Sequence, residues 1–444
     1  MRAMSHWLDV WTRFSPDRQA VLDLGTGRSW TYRELRDESR AWASWLVSKG
    51  AGRGDRVAVI AENRGETLAL LFACADIGAI LFPMNWRLAD AELHWQLEHA
   101  EPAVVLEDEA HAGRAPGAFP LVSPEPGEPV PSITPAQDDP WVLMYTSGSS
   151  GRPKGALLTH RQLHWNAINT TMACNLTPDD STLTFAPLFH TGGLNCLTTP
   201  LLHRGGRVVL TPRLDAADAL ATIEREGITL LMGVPTIYQM LADHPDFATT
   251  DLGTVRDALC GGAALPNALL ERYADRDIPL RQGFGLTEVG PNCFSLPPHK
   301  TRDKAGTVGL PIHHIAARIV RDDGSDCDVG EPGELLGPII ASKPTTRFEG
   351  YTDAKATAKK VMTDVFKKGD KYFRTGDLVK YDAQGYFYFV DRIGDTFRWK
   401  GENVATTEVS RALSSAPGVA EVNAYGVRVP RRDGRACMVA VTPT

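Results

Sequence analysis

From Asp55 onward, extended apolar runs alternate with helix-period runs, and no other feature narrows the fold as far. Strand-like segments at Arg56 to Ile60, Ala79 to Phe82 and Ala103 to Leu106 interleave with helical ones at Thr31 to Lys49, Glu66 to Ala75 and Ala89 to Glu98. A strand returns parallel to its predecessor only through a long crossover, usually a helix, so this alternation predicts α/β architecture with parallel sheets. The pattern resumes with strands at Arg207 to Leu210, Thr229 to Val234, Ala258 to Cys260 and Leu280 to Gly283, separated by helices such as Ala216 to Glu226 and Thr236 to Ala242. After Pro291 it gives way to short extended pieces (Gly306 to Leu310, Ala316 to Val320, Gly333 to Leu336) between Gly and Pro turns, which predicts a small β-rich subdomain. A chain of 444 residues has room for about three such compact units.

Between the apolar run Trp141 to Tyr145 and the extended run Ala156 to Thr159 lies Thr146-Ser147-Gly148-Ser149-Ser150-Gly151-Arg152-Pro153-Lys154-Gly155. Glycines let backbone N–H groups turn toward an anion, the hydroxyls add donors, and Lys154 brings a mobile positive charge. The composition suits a polyphosphate cradle joining two strands, with a helix starting at His160. It is not the Walker A loop, which needs lysine one residue after its second glycine and must open a helix; here Pro153 stands where that glycine would be. By itself the segment would also suit a solvated turn.

Further along, Gly283-Phe284-Gly285-Leu286-Thr287-Glu288 follows a strand. Its glycines admit a ligand to the backbone, Phe284 offers a flat face to a purine, Thr287 can donate to phosphate, and Glu288 supplies the hard oxygen that Mg²⁺ shares with substrate phosphates. Asp377, at the end of the aromatic run Tyr372-Phe373-Arg374-Thr375-Gly376, could accept from both hydroxyls of a ribose. A hairpin is expected over Tyr381 to Val390. His190, in Phe185-Ala186-Pro187-Leu188-Phe189-His190-Thr191-Gly192-Gly193, is placed either to gate a pocket or to serve as a hydrogen-bonded loop residue.

Lysine occurs four times in residues 1 to 340 and nine times in 341 to 400, which suggests two regions of different origin, joined near 330 to 345. The lysines between Asp353 and Lys368 read as a solvated helix. The formal net charge of −7 offers no field for nucleic acid. Seven scattered cysteines without a Cys-x-x-Cys pair point away from disulfides and zinc and toward a reducing cytoplasm, with peripheral membrane association left open. The longest apolar region, Leu68 to Met84, is broken by Asp76 and Pro83, so no transmembrane segment is expected.

Taken in order, YTSGSSGRPKG, FAPLFHTGG, CGGAALP, GFGLTEVG, YFRTGDL and DRIGDTFRWKGENV resemble the motif series of the AMP-forming adenylating superfamily. WTYREL and PMNWRL extend the likeness toward the N-terminus. From about Gly330 the chain is most similar to fatty-acid transport proteins and very-long-chain acyl-CoA synthetases, and before that to bacterial fatty acyl-CoA ligases.

The resemblance implies a large adenylate-forming domain over 1–393 and a small mobile α+β domain over 394–444, pivoting at Gly394. The implied reaction joins a fatty acid to ATP as acyl-AMP and then to coenzyme A, with Mg²⁺. Thr146 to Lys154, including Ser147, Gly148, Ser149, Ser150 and Gly151, would wrap the β- and γ-phosphates. Thr287 would touch the α-phosphate and Glu288 would hold the metal. Gly261, Gly262 and Ala263, with Gly283, Phe284 and Gly285, would form the adenine slot, Asp377 and Arg392 the ribose contact, and His190 the border of the acyl pocket. Lys400 and Gly401 would approach the acyl-AMP and line the coenzyme A channel. Family members carry a further lysine near the end of the small domain. Here 50 residues follow Gly394 and none after Lys400 is lysine, so the expectation is a truncated small domain with weak adenylation and less affected thioester formation. A carrier-protein acceptor, or a non-catalytic nucleotide-binding or acyl-adenylate-binding protein, are the alternatives.

Overall fold

The computed structural model describes residues 6–146, 153–338, 348–399, 402–414, 416–429 and 435–443. Two largely parallel sheets form its body. One has six strands in the spatial order Phe119–Pro120, Val104–Glu107, Arg56–Ile60, Ile80–Met84, Pro140–Thr146 and Lys154–Thr159, parallel except for the last pair. The other has nine, and its six central strands are all parallel: Leu280–Phe284, Asp257–Cys260, Leu230–Gly233, Ser181–Thr184, Arg207–Leu210 and Gln19–Asp23.

The helix Gly65–Ile77 contacts strands of both sheets, and every one of its residues is buried. Its sequence, GETLALLFACADI, is apolar around most of its circumference, as a helix with no solvent face requires. Helix Tyr32–Ser48 packs on it and begins with a capping box, in which Thr31 Oγ1 accepts from Glu34 N at 3.2 Å and Glu34 Oε2 from Thr31 N at 2.8 Å.

The β-rich region is an antiparallel sheet of five strands, Arg318–Val320, Gly333–Pro338, Lys371–Tyr381, Val361–Thr363 and Phe387–Arg392. Three expectations are refined. Phe294–Ser295 and Leu310–Pro311 join the edge of the nine-stranded sheet instead of the small one. The lysine-rich helix is confined to Ala354–Lys360 and turns directly into a strand. The hairpin begins ten residues earlier than expected, at Lys371. Short extended pieces carry no mark of the sheet they will pair with, since pairing is decided by tertiary contact.

After Gly394 come a hairpin (Phe397–Trp399 with Glu402–Val404), helix Thr406–Ser414 and a second hairpin (Val419–Arg428 with Arg435–Pro443). The unit is fastened to the five-stranded sheet by buried Asp391, which accepts from Thr406 N at 2.6 Å and Thr406 Oγ1 at 3.0 Å. Among the described residues no helix is long and apolar enough to cross a membrane. All seven cysteines are free.

Candidate active site

Parallel strands present their carboxyl ends to one side, and the loops that follow them gather there. Gly283 and Phe284, Gly261 and Gly262, Met232 to Val234, Phe185 and Ala186, and Pro212 to Leu214 stand at or after the ends of neighbouring strands. Together they line a cavity of about 550 Å³. Gly285 and His190 belong to the same lining; Ala263 does not, its carbonyl instead accepting from Gln282 Nε2 at 3.0 Å. Gly285 has no alternative here, because a Cβ would fall 1.2 Å from the carbonyl oxygen of Pro291.

His190 caps the helical run that follows it, its Nδ1 accepting from Gly192 N at 3.1 Å. With Nδ1 an acceptor, the ring proton sits on Nε2, and burial lowers the pKa so that the ring is neutral. A π turn at Leu194–Thr198 interrupts the run.

Two residues of the lining, Cys174 and Ser295, are tied to a buried ion pair. Arg281, 1% exposed, donates to Ser295 Oγ at 2.5 Å, to Cys174 Sγ at 3.2 Å and to Asp257 Oδ1 at 2.7 Å. Breaking such a pair leaves a charge stranded in the interior, so the pair holds this part of the wall in place.

Beside the cavity, a hairpin tip, a bridged residue and a helix converge on Glu288, in the short turn Thr287–Val289. Thr146 and Lys154 are cross-strand partners at the tip of the hairpin whose intervening residues include Ser147, Gly148, Ser149, Ser150 and Gly151, which lie outside the described residues. Thr146 Oγ1 donates to Glu288 Oε1 at 3.5 Å, and Tyr351 OH donates to the same oxygen at 2.8 Å. Tyr351 reaches that position because its backbone bridges to Ala156 on the outer edge of the hairpin. Lys154 Nζ stands 5.6 Å from the centre of the Tyr351 ring. From the other side Gln162 Nε2 donates to the Glu288 carbonyl at 2.9 Å. No described hydrogen bond reaches Glu288 Oε2. The described residues hold no cluster of three or more metal-ligating side chains, so a divalent cation here would take this carboxylate and complete its shell from phosphate and water.

Asp377 is 1% exposed and faces Arg392 Nε at 3.3 Å through Oδ1, while its buried Oδ2 takes no hydrogen bond. Burial pushes its carboxyl up to about 6, against the pull of Arg392 and Lys360. A desolvated oxygen without a donor is costly, and a ligand hydroxyl would relieve it. Asp377 lies not at the end of its strand but at an irregularity within it, where pairing to Gly333–Pro338 slips between Glu334 and Leu336 and Gly376 takes φ +81°. Lys400 and Gly401 lie outside the described residues.

The expected residues Thr146, Lys154 and Glu288 are thus brought together, as are Asp377 and Arg392, and the glycines, Phe284 and His190 share one cavity. Thr287 sits in the turn beside Glu288. Charge links the two carboxylate sites, since Glu288 and Asp377 both act on Lys360. Tyr351, Lys360 and Arg281 were not anticipated; none stands in a glycine-rich stretch, and the only signal for Tyr351 is its position after Gly350.

The AMP-binding enzyme family model matches residues 8–351. The chain is 36% identical to a feruloyl-CoA synthase of an Amycolatopsis species, over 97% of this chain and 87% of that protein. It is 31% identical to human long-chain fatty acid transport protein 1, over 96% of this chain and 72% of that one. The solved structure of Bacillus subtilis O-succinylbenzoate coenzyme A synthetase with ATP and magnesium superposes with a TM-score of 0.86 at 26% identity, covering 99% of this chain and 90% of that one. By these matches and by its fold, the chain belongs to the AMP-binding enzyme family, among the AMP-forming acid–CoA ligases.

Proposed function

We propose that this chain joins a carboxylic acid to coenzyme A at the expense of ATP, through an acyl-AMP. The observation that carries the reading is the convergence of Thr146 and Tyr351 on Glu288, with Lys154 over the Tyr351 ring, together with a buried Asp377 oxygen that lacks a donor. In the first step a substrate carboxylate oxygen attacks the α-phosphorus and pyrophosphate leaves; in the second the coenzyme A thiolate attacks the acyl carbon and AMP leaves. No protein nucleophile is needed, so the side chains align the reactants and balance charge.

Lys154 and the hairpin tip hold the β- and γ-phosphates, Thr287 the α-phosphate, Asp377 the ribose diol with Arg392 as its partner, and Phe284 with Gly261 and Gly262 the adenine. Mg²⁺ on Glu288 would neutralise the phosphates as charge develops. His190, neutral, borders the acyl end. The unit from Gly394 swings to bring Lys400 and Gly401 toward the thioester step, with 1–393 as the fixed domain. Free thiols throughout suit a cytoplasmic location.

For the acid, the cavity of about 550 Å³, with Cys174 and Ser295 of its lining held by Arg281, suits a compact molecule such as an aryl-substituted short acid. A long-chain fatty acid is the second reading, supported by the similarity to the fatty acid transport protein. A mass-spectrometric screen for acyl-AMP and acyl-CoA with cinnamate-type and C16 acids decides between them. Absence of acyl-AMP from every acid, with Mg-ATP bound, would overturn the catalytic reading.

A further inference from the structure

We propose that Lys360 is a positioning residue of the nucleotide site, pinning the Thr375–Gly376 irregularity and giving the Asp377 carboxylate a second counter-charge. The inference rests on the function proposed above. Lys360 ends the helix Ala354–Lys360, where Lys355 and Lys359 are exposed, yet its own side chain turns inward. Its Nζ donates to the Thr375 carbonyl at 2.9 Å and lies 5.8 Å from the centre of the Phe373 ring.

The ammonium sits so close under the main chain that a Cβ at Gly376 would come within 3.2 Å of it. Thr375 is in turn held by Leu335, whose carbonyl accepts from Thr375 Oγ1 at 2.8 Å, and Asp377 N donates to that same hydroxyl oxygen at 3.0 Å. Lys360 thereby fixes the short stretch of backbone that aims Asp377.

Desolvating an ammonium is expensive, and one carbonyl is a poor return for a lysine that could have stayed in water beside Lys359. What offsets the cost is the surrounding charge. Glu288, Asp377 and Glu334 all favour its protonated form, in that order, against burial and Lys154. The groups facing Asp377 are Arg392 on the adjoining strand, Lys360 on the helix, Glu288 across the site and Glu334, itself held by Arg374. Of the two cations, Arg392 has a largely exposed side chain and is open to screening, whereas Lys360 is half-buried.

The test measures Mg-ATP affinity by calorimetry from pH 5 to 8, with melting temperatures, for wild type, Lys360→Met, Lys360→Arg and the exposed control Lys359→Met. Lys360→Met is expected to weaken Mg-ATP binding roughly tenfold or more and to move the acid limb to higher pH, because Asp377 loses a cation that favours its ionised form. Lys360→Arg should recover most of the affinity and Lys359→Met should match wild type. In an Asp377→Asn background the Lys360→Met change should move no pH limb, a comparison that holds even if one variant is marginally folded. Wild-type affinity in Lys360→Met, or an equal loss in both Lys360 variants with a fixed acid limb, overturns the inference alone. A wild-type chain that does not bind Mg-ATP overturns the proposed function and this inference together.

Discussion

The parallel body and the five-stranded antiparallel sheet contribute different things to the same site. The body supplies the walls, Gly261, Gly262, Gly283, Phe284, Gly285 and His190, gathered because successive parallel strands end on one side, and from one hairpin tip and one turn it adds Thr146, Lys154 and Glu288. The small sheet and the segment leading into it supply a second set of polar and charged groups, Tyr351, Lys360, Asp377 and Arg392. An antiparallel sheet has no common carboxyl edge, so these side chains arrive singly, from a bridge to the body's hairpin, a helix end and a strand irregularity. Glu288 stands at the seam, on a turn of the body but bonded to Tyr351 from the other side. A pocket can therefore be complete in outline while its chemistry depends on how a second layer docks against it.

The sharpest attempt to break this division is Glu288→Gln, expected to lower pyrophosphate exchange by about 10²- to 10³-fold, the range for losing a principal charge-stabilising group. Asp377→Asn comes next. It should raise KM for ATP roughly 10- to 100-fold with a smaller change in kcat, as expected for a hydrogen bond to a charged group made in both ground and transition states. A larger effect in kcat than in KM would assign Asp377 to the chemical step.

The body has an acid sensitivity of its own. His160, stacked on Trp141 at 4.4 Å, and His203, edge-on to Trp7 at 4.8 Å, are both held down to about 3 by burial. Their folded pKa lies below the ordinary 6.5, so unfolding takes up protons once the pH drops beneath that value. Stability from these residues is complete above pH 6.5 and falls as pH goes from there toward 3, by roughly 1.4 kcal/mol per pH unit for each well below 6.5. Denaturant titrations at pH 7.5 and 5 measure the slope; a flat response contradicts it. Smallest is Tyr351→Phe, which removes one bond to Glu288 and should cost roughly 3- to 10-fold in exchange rate. If it matched Glu288→Gln, the seam itself would be the active element.

Much of the body could be read from the chain. Strands Arg56–Ile60 and Arg207–Leu210 and helix Ala216–Glu226 lie at their expected bounds, since each is an uninterrupted periodic run closed by turn residues. The walls were equally visible, because glycines at strand ends have a distinctive composition. The charges were visible only where they sit in a motif, as Lys154, Glu288 and Asp377 do. Lys360 lies in a lysine-rich helix whose local pattern is that of a solvated surface, and nothing local distinguishes the one lysine that turns inward. Arg281 likewise gains its meaning only from Asp257, Cys174 and Ser295, brought to it by three other elements.

Asp391 immediately precedes Arg392, and its carboxylate is the clasp that secures Thr406. Any swing that carries Thr406 away from the sheet has to strip that carboxylate of the two donors Thr406 gives it. Arg392, which faces Asp377, and the carboxylate that holds Thr406 thus belong to consecutive residues, so a nudge to one is mechanically a nudge to the other.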